Sequence, residues 1–196
     1  GFMMSILKIN DQNEIYYELT EPKDNRHTFV FVNALTGNTN AWNGIIGDKI
    51  IEDGNGFLTY NFRGQDNSKF SEELNLDTDL IVSDLCLLIE NLKLKDIILV
   101  GLSIGGLYAS LALEKGIKSN GLVLINTLRK NNSRLKWINE TMVNVAQYGG
   151  TSLLMDMNMP LIASPSFLYK MKPNALNPSN YKALAENSGI FKLMKG

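Results

Sequence analysis

The sequence predicts an α/β protein with a mostly parallel sheet of about six strands, an antiparallel hairpin at one edge, helices on both faces and a helical C-terminal cap. Two observations support this fold class. Apolar runs with the length of strands alternate with segments of helical periodicity, which is typical of parallel sheets joined by right-handed crossovers. This alternation ends after Thr127, and residues 128–196 contain helical stretches but no β-run.

The composition is that of an ordinary globular domain. The chain has 196 residues, 44% hydrophobic and 20% charged, so it can bury a sizeable core. With a net charge of −1, the chain has no excess of positive charge that would favour binding to nucleic acid or to an anionic membrane. Because no apolar run reaches ~18 residues and no leader peptide is recognisable, we predict a cytoplasmic protein. One cysteine and one histidine exclude an internal disulfide and a zinc-type cluster, so we expect no metal and no cofactor.

The N-terminal segment has the pattern of a hairpin. Met4–Ile9 and Glu14–Leu19 are short β-runs, and the polar residues 10–13 between them supply turn chemistry, so they predict the antiparallel edge of the sheet. Thr28–Val32 is a continuous apolar run, which suits a central strand covered on both faces. We expect a loop over residues 33–40.

The middle of the chain continues the alternation. A short helix is expected from about Trp42 to Ile50, followed by a strand over Gly56–Tyr60. Apolar residues recur at helical spacing between Asp77 and Leu92, with Asp77 or Thr78 as the predicted cap. This second helix is expected to cover the sheet.

The segment that starts at Ile97 organises the rest of the chain. An apolar β-run breaks at Gly101 and turns at once into a helix of small residues. Gly101-Leu102-Ser103-Ile104-Gly105 is a Gly-x-Ser-x-Gly pentapeptide in the strand–turn–helix context that a nucleophile elbow needs. A Cβ at Gly101 or Gly105 would crowd a serine held in a strained conformation. The first N–H groups of the helix would face whatever the Ser103 oxygen attacks.

The remaining segments complete the predicted organisation. Gly121–Ile125 has the composition of another buried strand. Helical stretches are predicted around Arg134–Tyr148 and Tyr181–Lys192. We interpret residues 128–196 as a helical cap on a core formed by residues 1–127.

The order of these segments resembles the α/β-hydrolase fold over residues 4–196. Asn33–Gly37 stands where that family usually has His-Gly-x-Pro, and Asn61–Ser68 resembles the family's Asp-x-Arg-Gly-x-Gly-x-Ser loop. The pentapeptide around Ser103 resembles the family's elbow, and Leu122–Asn126 resembles the strand before the cap. The resemblance implies a serine esterase or lactonase.

The resemblance also implies roles for individual residues. Ser103 would be the catalytic nucleophile that forms an acyl-enzyme. Leu35 and Ile104 would donate their backbone N–H groups to the oxyanion, and Gly101 and Gly105 would be the elbow glycines. The substrate would be a small or medium-sized ester, thioester or lactone.

The sequence contains no histidine that could serve as the base. In this family the acid and the histidine usually follow the nucleophile, so we expect the chain to stop inside the cap, truncated before both. His27 precedes the first parallel strand, and six extended residues at ~3.3 Å each place it about 20 Å from Ser103. Asp66 and Asp156 are expected to be solvated surface carboxylates, and Arg63 is expected to anchor its own loop by hydrogen bonds.

The sequence is compatible with three functions. The first is a serine hydrolase that is weakly active or inactive as this chain alone. The second is an acyltransferase, because Asn33–Gly37 is similar to loops in homoserine acetyltransferase-like members. The third is a non-catalytic binding or assembly module, which the lack of a usable histidine favours. Because no strand is predicted after Gly121–Ile125, the outer edge of that strand should be uncovered, and we expect a homo-oligomer.

Overall fold

A computed structural model describes residues 2–127 and 132–196. The chain divides into two compact units, Gly1–Arg129 with Gly196, and Lys130–Lys195. The first unit contains all six described strands, which are β1 (Phe2–Asn10), β2 (Asn13–Thr20), β3 (Thr28–Val32), β4 (Gly56–Tyr60), β5 (Ile97–Leu102) and β6 (Gly121–Ile125).

The six strands form one mixed sheet in the order β1-β2-β4-β3-β5-β6. Strand β2 is antiparallel to both β1 and β4, whereas β4, β3, β5 and β6 run parallel to one another. The helices of this unit are α1 (Ile45–Glu52), α2 (Thr78–Asn91) and α3 (Ile104–Glu114), with a 3-10 turn at Thr39–Ala41. The predicted fold class, with its antiparallel hairpin at one edge and helices on both faces, is confirmed.

The centre of the sheet forms the core, as continuous apolar runs require. Val30 in β3 is a register partner of Leu58 in β4 and of Leu99 in β5, and all three side chains are fully buried. Helix α2 begins as predicted, because the Asp77 carboxylate accepts a hydrogen bond from the Leu80 N–H at 3.0 Å.

The predicted helix over Trp42–Ile50 begins later than expected. Helix α1 starts at Ile45, after Gly44 with a φ of 81°. Trp42 is instead buried in the core, where its ring centroid lies 4.6 Å from that of Phe31. Trp42 therefore belongs to the core and not to the first turn of the helix, which begins only after Gly44.

Strand β6 is present where predicted, but it is not buried. The four apolar side chains Leu122–Ile125 are 36% to 49% exposed. In the part of the chain that the structure describes, β6 pairs only with β5 and its other edge pairs with no strand. The apolar composition predicted burial, whereas the lack of a later predicted strand predicted an uncovered outer edge, and the described part of the chain has that uncovered edge.

In the second unit, residues 132–195 form helices joined by turns and irregular segments. This unit contains α4 (Ser133–Ile162), which is interrupted by non-helical backbone at Gly150, then α5 (Pro165–Met171), a 3-10 turn at Pro178–Asn180 and α6 (Gly189–Lys195). The predicted helix over Arg134–Tyr148 lies within α4. The helix predicted over Tyr181–Lys192 is wrong before Gly189, because the Ser188 hydroxyl accepts the Phe191 N–H and starts α6 there. Among the described residues, no helix is long and apolar enough to span a bilayer.

Candidate active site

Ser103 lies at the junction of β5 and α3 in a conformation that L-residues rarely adopt. Its φ is 56° and its ψ is −122°. The surrounding backbone holds it there, because its N–H donates to the Ile125 carbonyl at 2.8 Å and its own carbonyl accepts from the Gly106 N–H at 3.0 Å. The Thr127 hydroxyl donates to the same carbonyl at 3.0 Å. Strain of this kind persists only where neighbours impose it, and it is concentrated at functional sites.

The Ser103 side chain is exposed. Although Ser103 occupies the N-cap position of α3, its hydroxyl accepts no capping hydrogen bond from the described residues. A serine whose only role was to cap the helix would accept a bond from an N–H of the first turn. The hydroxyl is therefore available for other chemistry.

Two glycines allow the elbow to pack against the sheet. A Cβ on Gly101 would overlap the backbone of Gly106, and a Cβ on Gly105 would overlap the carbonyl oxygens of Val32 and Asn33. The sequence pattern indicated that both positions needed glycine, and the structure identifies the atoms that exclude a side chain.

The loop after β3 starts beside this elbow. Val32 and Gly101 are register partners in the neighbouring parallel strands β3 and β5. Leu35, in the loop, and Ile104, at the start of α3, are both half-buried. The two segments that carry the predicted oxyanion donors are thus adjacent at the carboxyl ends of the strands, where ligands bind in open α/β sheets.

Ala34 stands where the family resemblance gives the glycine of His-Gly-x-Pro. It is not among the described residues with a positive φ. A side chain at this position therefore does not strain the backbone, and the loop forms without the glycine.

Arg63 anchors its own loop, as predicted. Its guanidinium donates to both carboxylate oxygens of Asp84 at 2.7 Å and to Asn13 Oδ1 at 3.1 Å. Both members of the ion pair are less than 10% exposed. Burial raises the pKa of the Asp84 carboxyl above its ordinary value, and the hydrogen bonds and charge of Arg63 oppose that rise.

The sequence did not predict that the buried side-chain amides of Asn33 and Gln65 contact each other. Asn33 and Gln65, 1% and 4% exposed, are joined by a hydrogen bond of 3.1 Å between Asn33 Nδ2 and Gln65 Oε1. They link the loop after β3 to the loop after β4. The available signal was the position of each polar residue just beyond a buried strand.

His27 lies at the opposite end of the sheet from Ser103. It immediately precedes β3, whose first residue Thr28 is the register partner of Ile97, the first residue of β5. Ser103 follows the last residue of that six-residue strand. At ~3.3 Å per residue the separation is about 20 Å, so His27 cannot act as the base for Ser103. Its side chain is half-buried.

The two predicted surface carboxylates differ in the structure. Asp66 is exposed, as expected. Asp156, in the helical unit, is half-buried, and its Oδ2 accepts hydrogen bonds from the Leu176 N–H at 2.9 Å and the Tyr181 hydroxyl at 2.6 Å. The prediction of a solvated surface carboxylate is therefore wrong for Asp156. The residues around Asp156 do not indicate that the segment with Leu176 and Tyr181 folds back onto it.

Asp156 borders an open cavity of about 550 Å³ within the helical unit. The cavity is lined mainly by apolar side chains, among them Met155, Met159 and Met171. Among the described residues, no group of three or more His, Cys, Asp or Glu side chains could hold a metal ion.

A sequence model of the alpha/beta hydrolase fold matches residues 27–152. This match covers β3 to β6, the elbow and the first part of α4, which is more than half of the chain. The chain belongs to the alpha/beta hydrolase fold family. No curated protein matches this α/β hydrolase in sequence.

Solved structures share the fold of this α/β hydrolase. An alpha/beta hydrolase from a Medee basin deep-sea metagenome library superposes with a TM-score of 0.77 and 24% identity, covering 97% of this chain and 70% of that one. An esterase from Exiguobacterium antarcticum gives a TM-score of 0.74 and 18% identity, covering 98% and 72%. The enol-lactonase from Burkholderia xenovorans gives 0.70 and 19%, covering 94% and 70%. At identities this low, the superpositions show a shared fold and nothing about a shared activity.

Proposed function

We propose that this α/β hydrolase is a serine hydrolase with Ser103 as its nucleophile. The observation that carries the proposal is the strained backbone of Ser103, with φ at 56° and an exposed, uncapped hydroxyl between a strand and a helix. The Ser103 oxygen attacks the substrate carbonyl carbon and forms a tetrahedral intermediate, which expels the alcohol or thiol and leaves an acyl-enzyme. Water then releases the acid.

The backbone N–H groups of Leu35 and Ile104 stabilise the oxyanion of that intermediate. The N–H of Ile104 belongs to the first turn of α3, whose N–H groups lack intrahelical partners and carry the positive end of the helix dipole. The Leu35 N–H belongs to the loop that begins beside the elbow. Donors of this type are worth about 10²–10³-fold each in kcat.

No histidine in this sequence lies where it could act as the base for Ser103. The only histidine in the sequence is His27, which is excluded by its position at the other end of β3. Without a base the serine hydroxyl stays protonated. The chain alone is therefore expected to turn over activated esters near the background rate.

The substrate is a small or medium-sized ester, thioester or lactone. Support comes from the fold neighbours, which include an esterase and an enol-lactonase. The role of residues 128–196 as a cap and the cytoplasmic location remain predictions.

A second candidate, a non-catalytic binding or assembly module, is favoured by the remote position of His27 alone. An acyltransferase would form the same acyl-enzyme and differ only in its acceptor. Transfer of the acyl group to an added alcohol, in preference to water, would identify an acyltransferase.

We further propose that the chain forms a homo-oligomer through the edge of β6. The support is the row of partly exposed apolar side chains Leu122–Ile125 on a strand without Pro or charge, the residues that usually protect an edge. The simplest assembly is a two-fold dimer.

Hydrolysis of p-nitrophenyl acetate, with and without added imidazole as an external base, tests the proposed nucleophile. The chain alone should give near-background turnover, and Ser103→Ala should change it little. Imidazole should then raise turnover in the unsubstituted chain above that of Ser103→Ala in the same buffer. Robust turnover without imidazole that disappears in Ser103→Ala would reveal a base within the chain. Equal rates with imidazole would favour the non-catalytic module.

A further inference from the structure

The Gln65 side chain uses its whole hydrogen-bonding capacity at the loop after β3. Its Oε1 accepts from the Phe62 N–H at 2.9 Å and from Asn33 Nδ2 at 3.1 Å. Its Nε2 donates to the carbonyls of Ala34 at 2.8 Å and Leu35 at 3.0 Å. The orientation of the amide is fixed, because a backbone N–H needs an acceptor on one side and two carbonyls need a donor on the other.

Asn33 supports Gln65 from the other side of the loop. Asn33 Oδ1 accepts the indole N–H of Trp42 at 2.7 Å, and its Nδ2 donates to the Tyr60 carbonyl at 2.7 Å as well as to Gln65. Because the indole can only donate, the orientation of the Asn33 amide is also determined. The two buried amides therefore tie the loop to the ends of β3 and β4.

The carbonyl of Ala34 and the N–H of Leu35 belong to the same planar peptide unit and point in opposite directions. A donor that holds the Ala34 oxygen therefore sets the direction of the Leu35 N–H. The Gly37 N–H also donates to the Ala34 oxygen, at 3.0 Å, but it belongs to the same loop and moves with it. Gln65 is the donor that ties this peptide to a different loop.

We propose that Gln65 is a positioning residue that aims the Leu35 N–H at the oxyanion, and this inference rests on the proposed role of Ser103. Gln65 does not touch substrate. It acts by fixing one peptide plane in a loop that carries Ala34 where the family usually has glycine.

Gln65→Glu is a sharp test because it keeps size and shape. A carboxylate can still accept from Phe62 and Asn33, but it cannot donate to the two carbonyls and faces them with a negative charge. The measurement is the rate at which Ser103 reacts with a fluorophosphonate in the presence of imidazole. We expect Gln65→Glu to slow this rate about tenfold or more at neutral pH.

The pH profile separates positioning from general structural damage. Protonation of the introduced carboxylate in Gln65→Glu restores one donor, so the rate of this variant relative to the unsubstituted chain should recover as the pH falls. The matched control is Gln12→Glu, the same change at an exposed turn residue, which should leave the rate unchanged. An unchanged rate in Gln65→Glu, or a loss that does not recover at low pH, would overturn the inference.

A second measurement distinguishes failure of this inference from failure of the proposed nucleophile. If Ser103 of the unsubstituted chain does not react, the proposed function fails, and amide NMR signals then test the role of Gln65 directly. Gln65→Glu should broaden or multiply the Leu35 and Thr36 amide signals while signals from β3 and β5 stay single. A single sharp Leu35 signal in that variant would overturn the positioning role.

Discussion

Gly105, at the start of α3, lies so close to the carbonyl oxygen of Val32 at the end of β3 that no side chain fits between them. This contact sets the approach of the elbow helix to the neighbouring strand. It connects the residue pattern of the pentapeptide to the geometry of the site.

Gly105→Ala should therefore destabilise the protein. The added methyl group meets backbone atoms that cannot move aside, and overpacking of this kind costs roughly 1–3 kcal/mol in the free energy of unfolding. Urea unfolding measures the change. The control is Gly121→Ala, whose Cβ would lie 3.7 Å from Ile98, an ordinary contact. Equal stability of the two variants would contradict the packing described for the elbow.

Arg63→Met should be strongly destabilising. It would leave the Asp84 carboxylate buried without its partner, which costs roughly 3–5 kcal/mol. The double variant Arg63→Met/Asp84→Leu should recover much of that loss, because it removes both charges together. Lys49→Met is the control, since it removes a surface pair with Asp53 at 3.2 Å whose worth is at most about 1 kcal/mol. Additive effects of the two core substitutions in a double-mutant cycle would contradict a coupled pair.

Alkaline pH should destabilise the fold through buried tyrosines. Burial raises the pKa of Tyr108 to about 12 and that of Tyr60 well above its ordinary value. Above pH 10 the unfolded chain releases these protons while the folded chain keeps them, so the free energy of unfolding falls as the pH rises toward 12. Tyr108→Phe should make this fall shallower by up to about 1.4 kcal/mol per pH unit. Tyr169→Phe, at a side chain that is 81% exposed, is the control.

The exposed face of β6 should mediate self-association. Light scattering at low micromolar concentration should give a mass above the 21.9 kDa of one chain. Val123→Lys, at a position that is 45% exposed, should shift the protein toward the monomer by placing a charge on the edge strand. Met4→Lys, on the opposite edge strand β1, is the control. A clean, stable monomer of the unsubstituted chain would contradict the proposed dimer.

The elbow could be predicted from the sequence because local steric rules determine it. A β-run that stops at Gly101 and continues as a helix of small residues leaves few ways to place Ser103, and the structure has that arrangement. The central strand Thr28–Val32 was equally predictable, since a continuous apolar run fits a strand covered on both faces.

Features that depend on distant partners could not be predicted in the same way. Nothing in the sequence near Gln65 indicates that it bonds two carbonyls some thirty positions away. The apolar composition of β6 favoured burial, and only the lack of a later predicted strand indicated that side chains such as Val123 would be uncovered. The helix predicted from Tyr181 begins only at Gly189, after the Ser188 hydroxyl that accepts the Phe191 N–H.

Fluorophosphonate labelling mapped by peptide mass spectrometry tests the claim that Ser103 is a nucleophile that reacts with the help of an external base. Exposed serines such as Ser166 and Ser179 serve as internal controls in the same sample. Ser103 should be labelled faster than these serines, and imidazole should increase the rate at Ser103 selectively. Labelling of Ser103 no faster than that of Ser166 and Ser179, with and without imidazole, would contradict the claim.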